Sequence, residues 1–378
     1  MRIAHVVGSG EKVLGGRETH IQRFAQECLR MGHETLLVSD AEVRSGGAAA
    51  LMGFGTDAGG VPVGPDVVLL HSRDSWQLTG EIEGVAPLFA WVHDQSFVCP
   101  ASISWSRTTH RACDRALGAA CVSGAYTRRC NARRPDRNLH NYLQVRRTLS
   151  GVPSLTGVIV ASGYMARRLA AGGVPEHLLH VLPYFVPLPE AAPPAEESPE
   201  RILYVGRLNE TKGVDVLISA LALLPSRYTL HIAGDGYAAG TLREHVRGCG
   251  IAPERVTFGG YVTDAAVMDA AYREAAVLAF PSLWPEPFGI VGIEAMSHGK
   301  PVVAFDVGGV SDWLDDGRVG LLARPGDAAD LAAKLLALME DPARRRELGE
   351  RGRARVADLY SWPAHWDGFA GIVAGVGV

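Results

Sequence analysis

Two carboxylates, Glu286 and Glu294, flank the start of a predicted helix and have the spacing best suited to chemistry on an anionic ligand. The apolar run Val277–Phe280 predicts a strand, a proline-containing turn follows, and residues 288–298 have helical apolar periodicity. Glu286 precedes the helix N-terminus, where free N–H groups and the helix dipole favour a phosphate. Glu294 lies about two turns further on, within reach of a bound ribose. Such a pair alone is more often a solvated face, so the rest of the chain must decide.

Chain length, net charge and the length of the apolar runs restrict the class of protein. A chain of 378 residues is too long for one ordinary core and predicts two domains. The net charge of -4 gives no basic signature for nucleic acid. The N-terminal apolar run is too short for a signal peptide, and no run approaches the roughly 20 apolar residues that span a bilayer. We therefore expect a cytoplasmic enzyme without a nucleic-acid partner, and leave open both peripheral membrane contact and the oligomeric state.

The N-terminal half begins with a strand, a glycine-rich loop and a helix. Arg2–Val7 has a buried-strand pattern, glycines recur through residues 8–16, residues 18–31 are an amphipathic helix, and 35–38 form the next strand. This order is typical of a doubly wound parallel sheet. Glycines at such a turn let backbone amides approach a phosphate or sugar closely. The loop lacks the G-x-G-x-x-G pattern, so a dinucleotide site is not favoured.

Two histidines follow further short strands of this half. Val67–Leu70 ends at His71, and the strand at residues 89–92 ends at His93, followed by Asp94. Polar residues at the carboxyl ends of parallel strands line the crevice of such folds. His93 is therefore the main site candidate here, although a strand-end histidine is more often a packing residue.

Residues 97–150 interrupt the alternation and are rich in cysteine and arginine. No cysteine pair has the C-x₂₋₄-C spacing of common zinc modules. Three interpretations stay open: a zinc site of four thiols, or of three with His110; free or buried thiols; and a redox-labile bridge. The arginines form a solvated face or receive an anionic acceptor or phosphorylated lipid head group. The four cysteines of this segment are Cys99, Cys113, Cys121 and Cys130.

The second half alternates strands and helices regularly. Residues 187–200 contain five prolines and predict a semi-rigid linker. The strand Arg201–Val205 follows, and then a turn that carries Arg207 and Lys212. Two cations at one strand-to-helix turn, together with a helix N-terminus, predict a diphosphate clamp that needs no metal.

Together these residues resemble the retaining nucleotide-sugar glycosyltransferases of the GT-B fold, glycosyltransferase family four. The Glu286–Glu294 spacing is similar to that family's E-x₇-E motif, and Gly32-His33-Glu34 to part of its usual opening. The resemblance covers nearly the whole chain and is densest over residues 201–340. The other matching stretches are Gly206-Arg207, Lys212-Gly213, Pro281-Ser282, Glu286-Pro287-Phe288-Gly289, Gly299 to Val302, Gly308-Gly309 and Gly15 to Glu18.

The resemblance implies an α/β protein of the GT-B class: two Rossmann-like, doubly wound parallel-sheet domains facing a central cleft. Residues 1–186 would form the acceptor-binding domain, with the Cys/Arg-rich insertion at about 97–150. The linker 187–200 would lead to a nucleotide-sugar-binding domain at 201–360. Residues 361–378 would be a C-terminal helix that crosses back to the first domain.

The resemblance also implies roles for individual residues. Glu294 would bind the ribose hydroxyls, Arg207 and Lys212 the diphosphate, and catalytic Glu286 would contact the donor sugar near the reacting carbon. The amides of residues 288–290 would meet phosphate or sugar hydroxyls. The remaining implied contacts are catalytic His93 to the sugar, Gly16 to the diphosphate, the backbone near Val262 to the base, and Phe288, Gly289 and Ile290 as the donor-binding amides.

The implied activity is hexosyl transfer, with retention, from a uridine or guanosine diphosphate sugar to a hydroxyl acceptor. The leaving diphosphate would help take the acceptor proton in a front-face reaction, and nearby cations would stabilise its charge. No Asp-x-Asp occurs, and we expect neither a metal nor a cofactor. The alternative is a catalytically silent sugar-nucleotide-binding subunit of a biosynthetic complex. The Ala/Arg/Gly-rich composition suggests a bacterial source.

Overall fold

The computed structural model describes residues 1–8, 16–57, 60–109, 111–131, 133–189 and 198–376. Its chain divides into two compact units. The first comprises Met1–Tyr184 with His365–Val378, and the second comprises Phe185–Ala364. The predicted linker, residues 187–200, falls in the second unit and partly outside the described residues. Within the described residues, no helix is long and apolar enough to cross a membrane.

The first unit is built on a six-stranded sheet in which every pairing is parallel. All residues of its strands β3, β4 and β7 are buried, as expected for a sheet covered on both faces. The strand order in the sheet is β2-β1-β3-β4-β7-β8, and β5 and β6 form a separate antiparallel hairpin. The strands are β1 Arg2–Val7, β2 Glu34–Ser39, β3 Val67–Leu70, β4 Leu88–Val92, β5 Trp105–Ser106, β6 Arg111–Ala112, β7 Gly157–Val160 and β8 Leu179–Val181.

Six α-helices and several single 3₁₀ turns connect these strands. The helices are α1 Gly16–Arg30, α2 Asp40–Gly46, α3 Thr79–Ile82, α4 Ala120–Thr127, α5 Pro135–Ser150 and α6 Gly163–Ala171. The 3₁₀ turns are Gly47–Leu51, Ser75–Leu78, Gln95–Phe97, Val152–Ser154 and Glu176–Leu178.

Two helices of this unit, α2 and α5, are not predicted by the sequence analysis. Ser39 and Glu42 form a capping box that starts α2 directly after β2. The segment 97–150 ends in the sixteen-residue helix α5, which Pro135 opens at its first turn with Asp136 beside it.

The second unit has a six-stranded, all-parallel sheet of order β11-β10-β9-β12-β13-β14. This order reverses between β9 and β12, and α/β sheets bind ligands beyond the strand ends at such a reversal. The strands are β9 Arg201–Val205, β10 Thr229–Ala233, β11 Val256–Gly260, β12 Val277–Phe280, β13 Val302–Phe305 and β14 Gly320–Ala323. The two parallel-sheet α/β units that the sequence predicted are therefore confirmed.

Helices cover this second sheet, with 3₁₀ turns at Glu210–Lys212 and Pro253–Arg255. The predicted helix 288–298 is shorter than expected: α10 begins at Ile290, because Gly289 before it is left-handed, with φ 100° and ψ 59°. The helices are α7 Val214–Ala222, α8 Ala239–Gly248, α9 Ala265–Glu274, α10 Ile290–Ser297, α11 Val310–Trp313, α12 Ala328–Met339 and α13 Pro342–Leu359.

The last helix, α14 (Trp362–Ala374), starts in the second unit and belongs to the first from His365 onward. There Nδ1 of His365 lies 2.7 Å from the carbonyl oxygen of Pro183, and Phe369 packs edge-on against Phe24. His365 and Phe369 are both buried, so this helix contributes to the core of the first unit.

Candidate active site

The loops after β9 and β12 meet at the strand-order reversal of the second unit. The carbonyl of Thr211, in the first loop, accepts the N–H groups of Leu283 (2.9 Å) and Trp284 (3.3 Å), in the second. Gly213 is left-handed, and a Cβ built on it would lie 2.0 Å from the carbonyl oxygen of Pro281. Only glycine permits this approach, which holds the two loops at a fixed distance.

Lys212 and Glu286 form an ion pair across these two loops. Lys212 Nζ lies 2.6 Å from Glu286 Oε1, and Ser282 Oγ donates to the same oxygen at 2.6 Å. The Glu286 side chain is only 6% exposed, and the ring centre of Trp284 lies 5.2 Å from the ammonium. The sequence predicted both charged residues as separate ligands of the donor. The structure adds that they are partners, each limiting where the other can point.

The backbone of Glu286 is fixed from a third loop, the one after β13. Gly309 N–H donates to the Glu286 carbonyl at 2.7 Å. Gly308 is left-handed, and a Cβ there would lie 2.3 Å from that carbonyl oxygen. Because three loops from adjacent strands converge on Glu286, its position is set by the sheet.

Arg207 is exposed just beyond β9, and its carbonyl is bound by a tyrosine that the sequence analysis missed. Tyr204 donates its buried hydroxyl to the Arg207 carbonyl at 2.9 Å. Burial, and then the negative charge of Glu286, raise the pKa of Tyr204, so it stays a hydrogen-bond donor. The sequence predicts Tyr204 only as a residue of the strand Arg201–Val205. Ser282 is predicted only as part of a motif, although a hydroxyl four residues before a glutamate is a signal for this hydrogen bond.

The N-terminus of α10 lies beside this pair, and Glu294 is inside the same helix. Phe288 is 1% exposed, and its carbonyl accepts the indole N–H of Trp313 at 2.6 Å, so only its backbone can face a ligand. Glu294 is half-buried, and its Oε2 accepts the hydroxyl of Tyr272 at 3.2 Å. The structure therefore places Glu286 and Glu294 on the loop after β12 and the helix α10 that follows it. Lys212 lies on the neighbouring loop, the one after β9.

Val262 follows a strand that is not adjacent to β12 in the sheet, so it lies further from Glu286 than the residues above. It is half-buried two residues past β11, and β10 and β9 separate that strand from β12. Its predicted contact with a base stays a prediction.

In the first unit, His93 belongs to a row of buried side chains. Nδ1 of His5 lies 2.9 Å from Nε2 of His71, and Nδ1 of His71 lies 2.9 Å from Nε2 of His93. The row ends where Nδ1 of His93 lies 2.7 Å from the hydroxyl of Tyr184. Both ring nitrogens of His93 are thus engaged within the unit.

Burial keeps these imidazoles neutral. It lowers the pKa of His5 to about 3, and burial first, with neighbouring charges second, lowers the pKa values of His71 and His93 far below the usual range. The buried Nε2 of His5 has no hydrogen-bond partner in the described chain. Because each neutral imidazole carries one N–H, the three contacts share one direction of donation along the row.

The glycine-rich loop is described only at its end. Residues 9–15, which include Gly10 and Gly15, lie outside the described residues, and Gly16 is the exposed first residue of α1. The predicted contact of Gly16 with a diphosphate stays a prediction.

Residues 190–355 match the model of the family "Glycosyl transferases group 1". The matched segment, 166 residues, is less than half of the chain. The match includes the whole Lys212–Glu286 arrangement and α10, and therefore every candidate site residue of the second unit.

Relatives with known names agree with the family. The chain is 34% identical over 178 residues to "Glycogen synthase" of Mycobacterium tuberculosis, covering 46% of this chain and 42% of that protein. It is 34% identical over 181 residues to "Alpha-D-kanosaminyltransferase" of Streptomyces kanamyceticus, covering 47% and 46%. It is 38% identical over 198 residues to "D-inositol 3-phosphate glycosyltransferase" of Nocardia farcinica, covering 47% and 43%. The chain thus spans less than half the length of these relatives.

Solved structures match over almost the whole chain. Anabaena HepE in complex with UDP has a TM-score of 0.71 at 18% identity, covering 99% of this chain and 100% of that one. Sucrose-phosphate synthase from Thermosynechococcus elongatus has a TM-score of 0.71 at 21% identity, covering 99% and 98%. At these identities the likeness shows the fold, which is that of the GT-B class.

Proposed function

We propose that the chain is a glycosyltransferase that moves a hexosyl group from a nucleotide-diphosphate sugar to a hydroxyl acceptor. The observation that carries this proposal is the Lys212–Glu286 pair at the strand-order reversal, inside a segment of the group 1 family. A buried carboxylate and an ammonium there, next to a helix N-terminus, suit a ligand that carries both a sugar and a diphosphate.

Each element of the site has a proposed part in donor binding. The diphosphate would meet the N-terminal amides of α10, at Gly289 and Ile290, together with the exposed guanidinium of Arg207. Glu294 would take the ribose hydroxyls, with Tyr272 orienting its carboxylate. Glu286 would lie against the sugar, held by Ser282 and Lys212.

The proposed reaction retains the anomeric configuration and uses no metal. As the bond between sugar and diphosphate breaks, negative charge grows on the leaving oxygen, and Lys212 and Arg207 are the cations placed to stabilise it. The same diphosphate would accept the proton of the incoming hydroxyl, so no separate base is required. Positive charge on the sugar ring would be stabilised by Glu286.

The donor is proposed to be a uridine or guanosine diphosphate sugar. Solved neighbours include Anabaena HepE with UDP and glucose, which supports the uridine form. The named relatives differ in what their names say they transfer or build, so they support the reaction class and leave the acceptor open. We further propose a cytoplasmic reaction and acceptor binding by the first unit, where Gly16 and His93 are the residues predicted to face the donor.

A panel of nucleotide sugars tests this proposal. Purified chain would be mixed with uridine, guanosine, adenosine and thymidine diphosphate sugars, and thermal stability and donor hydrolysis would be measured. We expect one nucleotide class to raise the melting temperature and to be slowly hydrolysed at an initial rate that added Mg²⁺ does not change. Binding without turnover would favour the silent subunit, and no binding to any donor would refute the donor site.

Glu286→Gln tests the assignment of the site. It keeps the side-chain shape but removes the charge, so we expect the transfer or hydrolysis rate to fall by about 10²–10³-fold. Glu274→Gln is the matched control, because Glu274 pairs with Arg201 at a half-exposed position by the N-terminal ends of β9 and β12, at the opposite edge of the sheet from Glu286. An unchanged rate in Glu286→Gln, with normal folding, would show that the chemistry lies elsewhere.

A further inference from the structure

Four cysteines of the first unit line one cavity. Cys99 follows the 3₁₀ turn Gln95–Phe97, Cys113 follows β6, Cys121 lies in α4, and Cys130 lies beyond the end of α4. All four are half-buried, and none is in a disulfide. Four thiols, 8 to 14 residues apart along the chain and on different elements, line one space, which scattered packing cysteines do not require.

The segment that carries them has little regular structure to stabilise it. Between residues 98 and 134 the described chain contains the hairpin of β5 and β6, two residues a strand, and the eight-residue helix α4. Small loop-rich segments cannot bury enough apolar surface to hold themselves and are commonly fastened by disulfides or a metal ion. Trp105 is buried beside the cavity, so the segment is nonetheless packed.

Three arginines line the same cavity and give it positive charge: Arg115, Arg128 and Arg168. Arg128 Nη1 donates to Cys113 Sγ at 3.5 Å. Arg168 is only 7% exposed, and its Nε has no hydrogen-bond partner in the described part of the chain. Guanidinium charges at this cavity would offset the negative charge that thiolates carry when they bind a metal ion.

We propose that Cys99, Cys113, Cys121 and Cys130 form a structural zinc site that closes on the metal. Binding of Zn²⁺ would release four protons and leave a tetrathiolate of net charge −2, which the three arginines would offset. As they stand, no three His, Cys, Asp or Glu side chains of the described residues are spaced to hold a metal ion. The sulfurs must therefore move inward to about 2.3 Å from zinc. The thiols line a cavity that is partly open to solvent, so their movement inward would fill empty space rather than displace packed side chains.

The first test is the metal content of the full chain, purified under reducing conditions without a metal-affinity tag. Elemental analysis is expected to find one zinc per chain, released by a mercurial thiol reagent. Cys113→Ser should lose the zinc, whereas Cys249→Ser, a half-buried cysteine of the second unit, should keep it. Arg128→Gln should weaken zinc binding by roughly 10–100-fold, as for other outer-shell partners.

Cobalt substitution keeps the test informative if Cys113→Ser fails to fold. Apo-protein titrated with Co²⁺ should develop the thiolate charge-transfer bands and intense visible bands of a tetrahedral sulfur site. Three results would overturn the proposal. The first is metal-free protein whose six thiols all titrate and whose stability does not respond to zinc. The second is a mass lower by two hydrogens for each bridge, which would indicate disulfides. The third is a metal-free cavity that binds inorganic phosphate through Arg168.

Discussion

The two units share one architecture but bury different polar groups. Each has six parallel strands with helices between them. The first unit buries a row of neutral imidazoles. His5 lies in β1, and His71 and His93 directly follow β3 and β4. The second unit has no buried histidine among its described residues. Its buried cations include Arg255 and Arg345, which are 9% and 5% exposed and donate to carbonyls near the end of a helix, whereas Arg168 is the buried arginine of the first unit. A guanidinium keeps its charge at any pH that a protein tolerates, but an imidazole does not.

Acid should therefore lower the unfolding free energy of the first unit more than that of the second. This is the largest effect we expect. The pKa of His5 is about 3 and that of His365 about 4, against 6.5 when unfolded. Between these values the unfolded chain binds more protons, so the stabilisation is complete above pH 6.5 and is lost as the pH falls. Each histidine contributes about 1.4 kcal/mol per pH unit in that window. Hydrogen exchange at pH 7 and pH 5 should show β3 and β4 losing protection while β12 and β13 keep theirs.

The control for this experiment is His5→Phe. It removes one titrating group from the row and should lower the slope of stability against pH by about 1.4 kcal/mol per unit. If the first unit has the same unfolding free energy at pH 7 and at pH 5, the imidazoles are not held neutral by burial, and the contrast between the units disappears.

The units also differ in how closely their loops approach. Gly308 in the second unit is left-handed, with its Cβ position 2.3 Å from the carbonyl oxygen of Glu286. Gly32 in the first unit is also left-handed, at φ +80°, but a Cβ there meets nothing within 4 Å. Gly308→Ala should cost about 3 kcal/mol or more, through clash and strain, and should also displace Glu286. Gly32→Ala should cost about 1 kcal/mol, from backbone strain alone.

Urea unfolding and donor turnover measured on the same samples would check this pair. Gly240→Ala serves as the reference, since Gly240 is helical with nothing within 4 Å, and alanine there should stabilise by about 0.5–1 kcal/mol. Equal losses for Gly308→Ala and Gly32→Ala would mean that the loop after β13 can move aside, and that it does not set the position of Glu286.

The contrast explains what could be predicted from sequence. Strands such as Val302–Phe305 are continuous apolar runs between glycines, so the parallel sheets were predicted well. Glu286 and Glu294 were identified because helix periodicity and a strand end fix their places. The row of histidines is not predictable from the sequence, because His5 lies inside a strand and the partners are far apart in the chain. His71 is 66 residues after His5, and His93 is 22 residues after His71. Likewise, the Lys212–Glu286 bond joins loops 74 residues apart, which only the strand order brings together.

Replacing Arg255 should give the smallest change in unfolding free energy. It tests whether a buried charge that does not titrate stabilises the second unit independently of pH. Its guanidinium donates to the carbonyls of Tyr228 (3.0 Å), Leu221 (3.1 Å) and Pro225 (3.2 Å), which lie beyond or near the end of α7. Arg255→Met would leave these carbonyls without a donor and should cost about 1–3 kcal/mol. Arg247→Met, at an exposed position of α8, should cost less than about 0.5 kcal/mol. Because a guanidinium does not titrate here, urea unfolding should give the same cost for Arg255→Met at pH 7 and at pH 5. A cost that depends on pH would mean that protonation of another group, rather than the lost hydrogen bonds, controls the stability of the second unit.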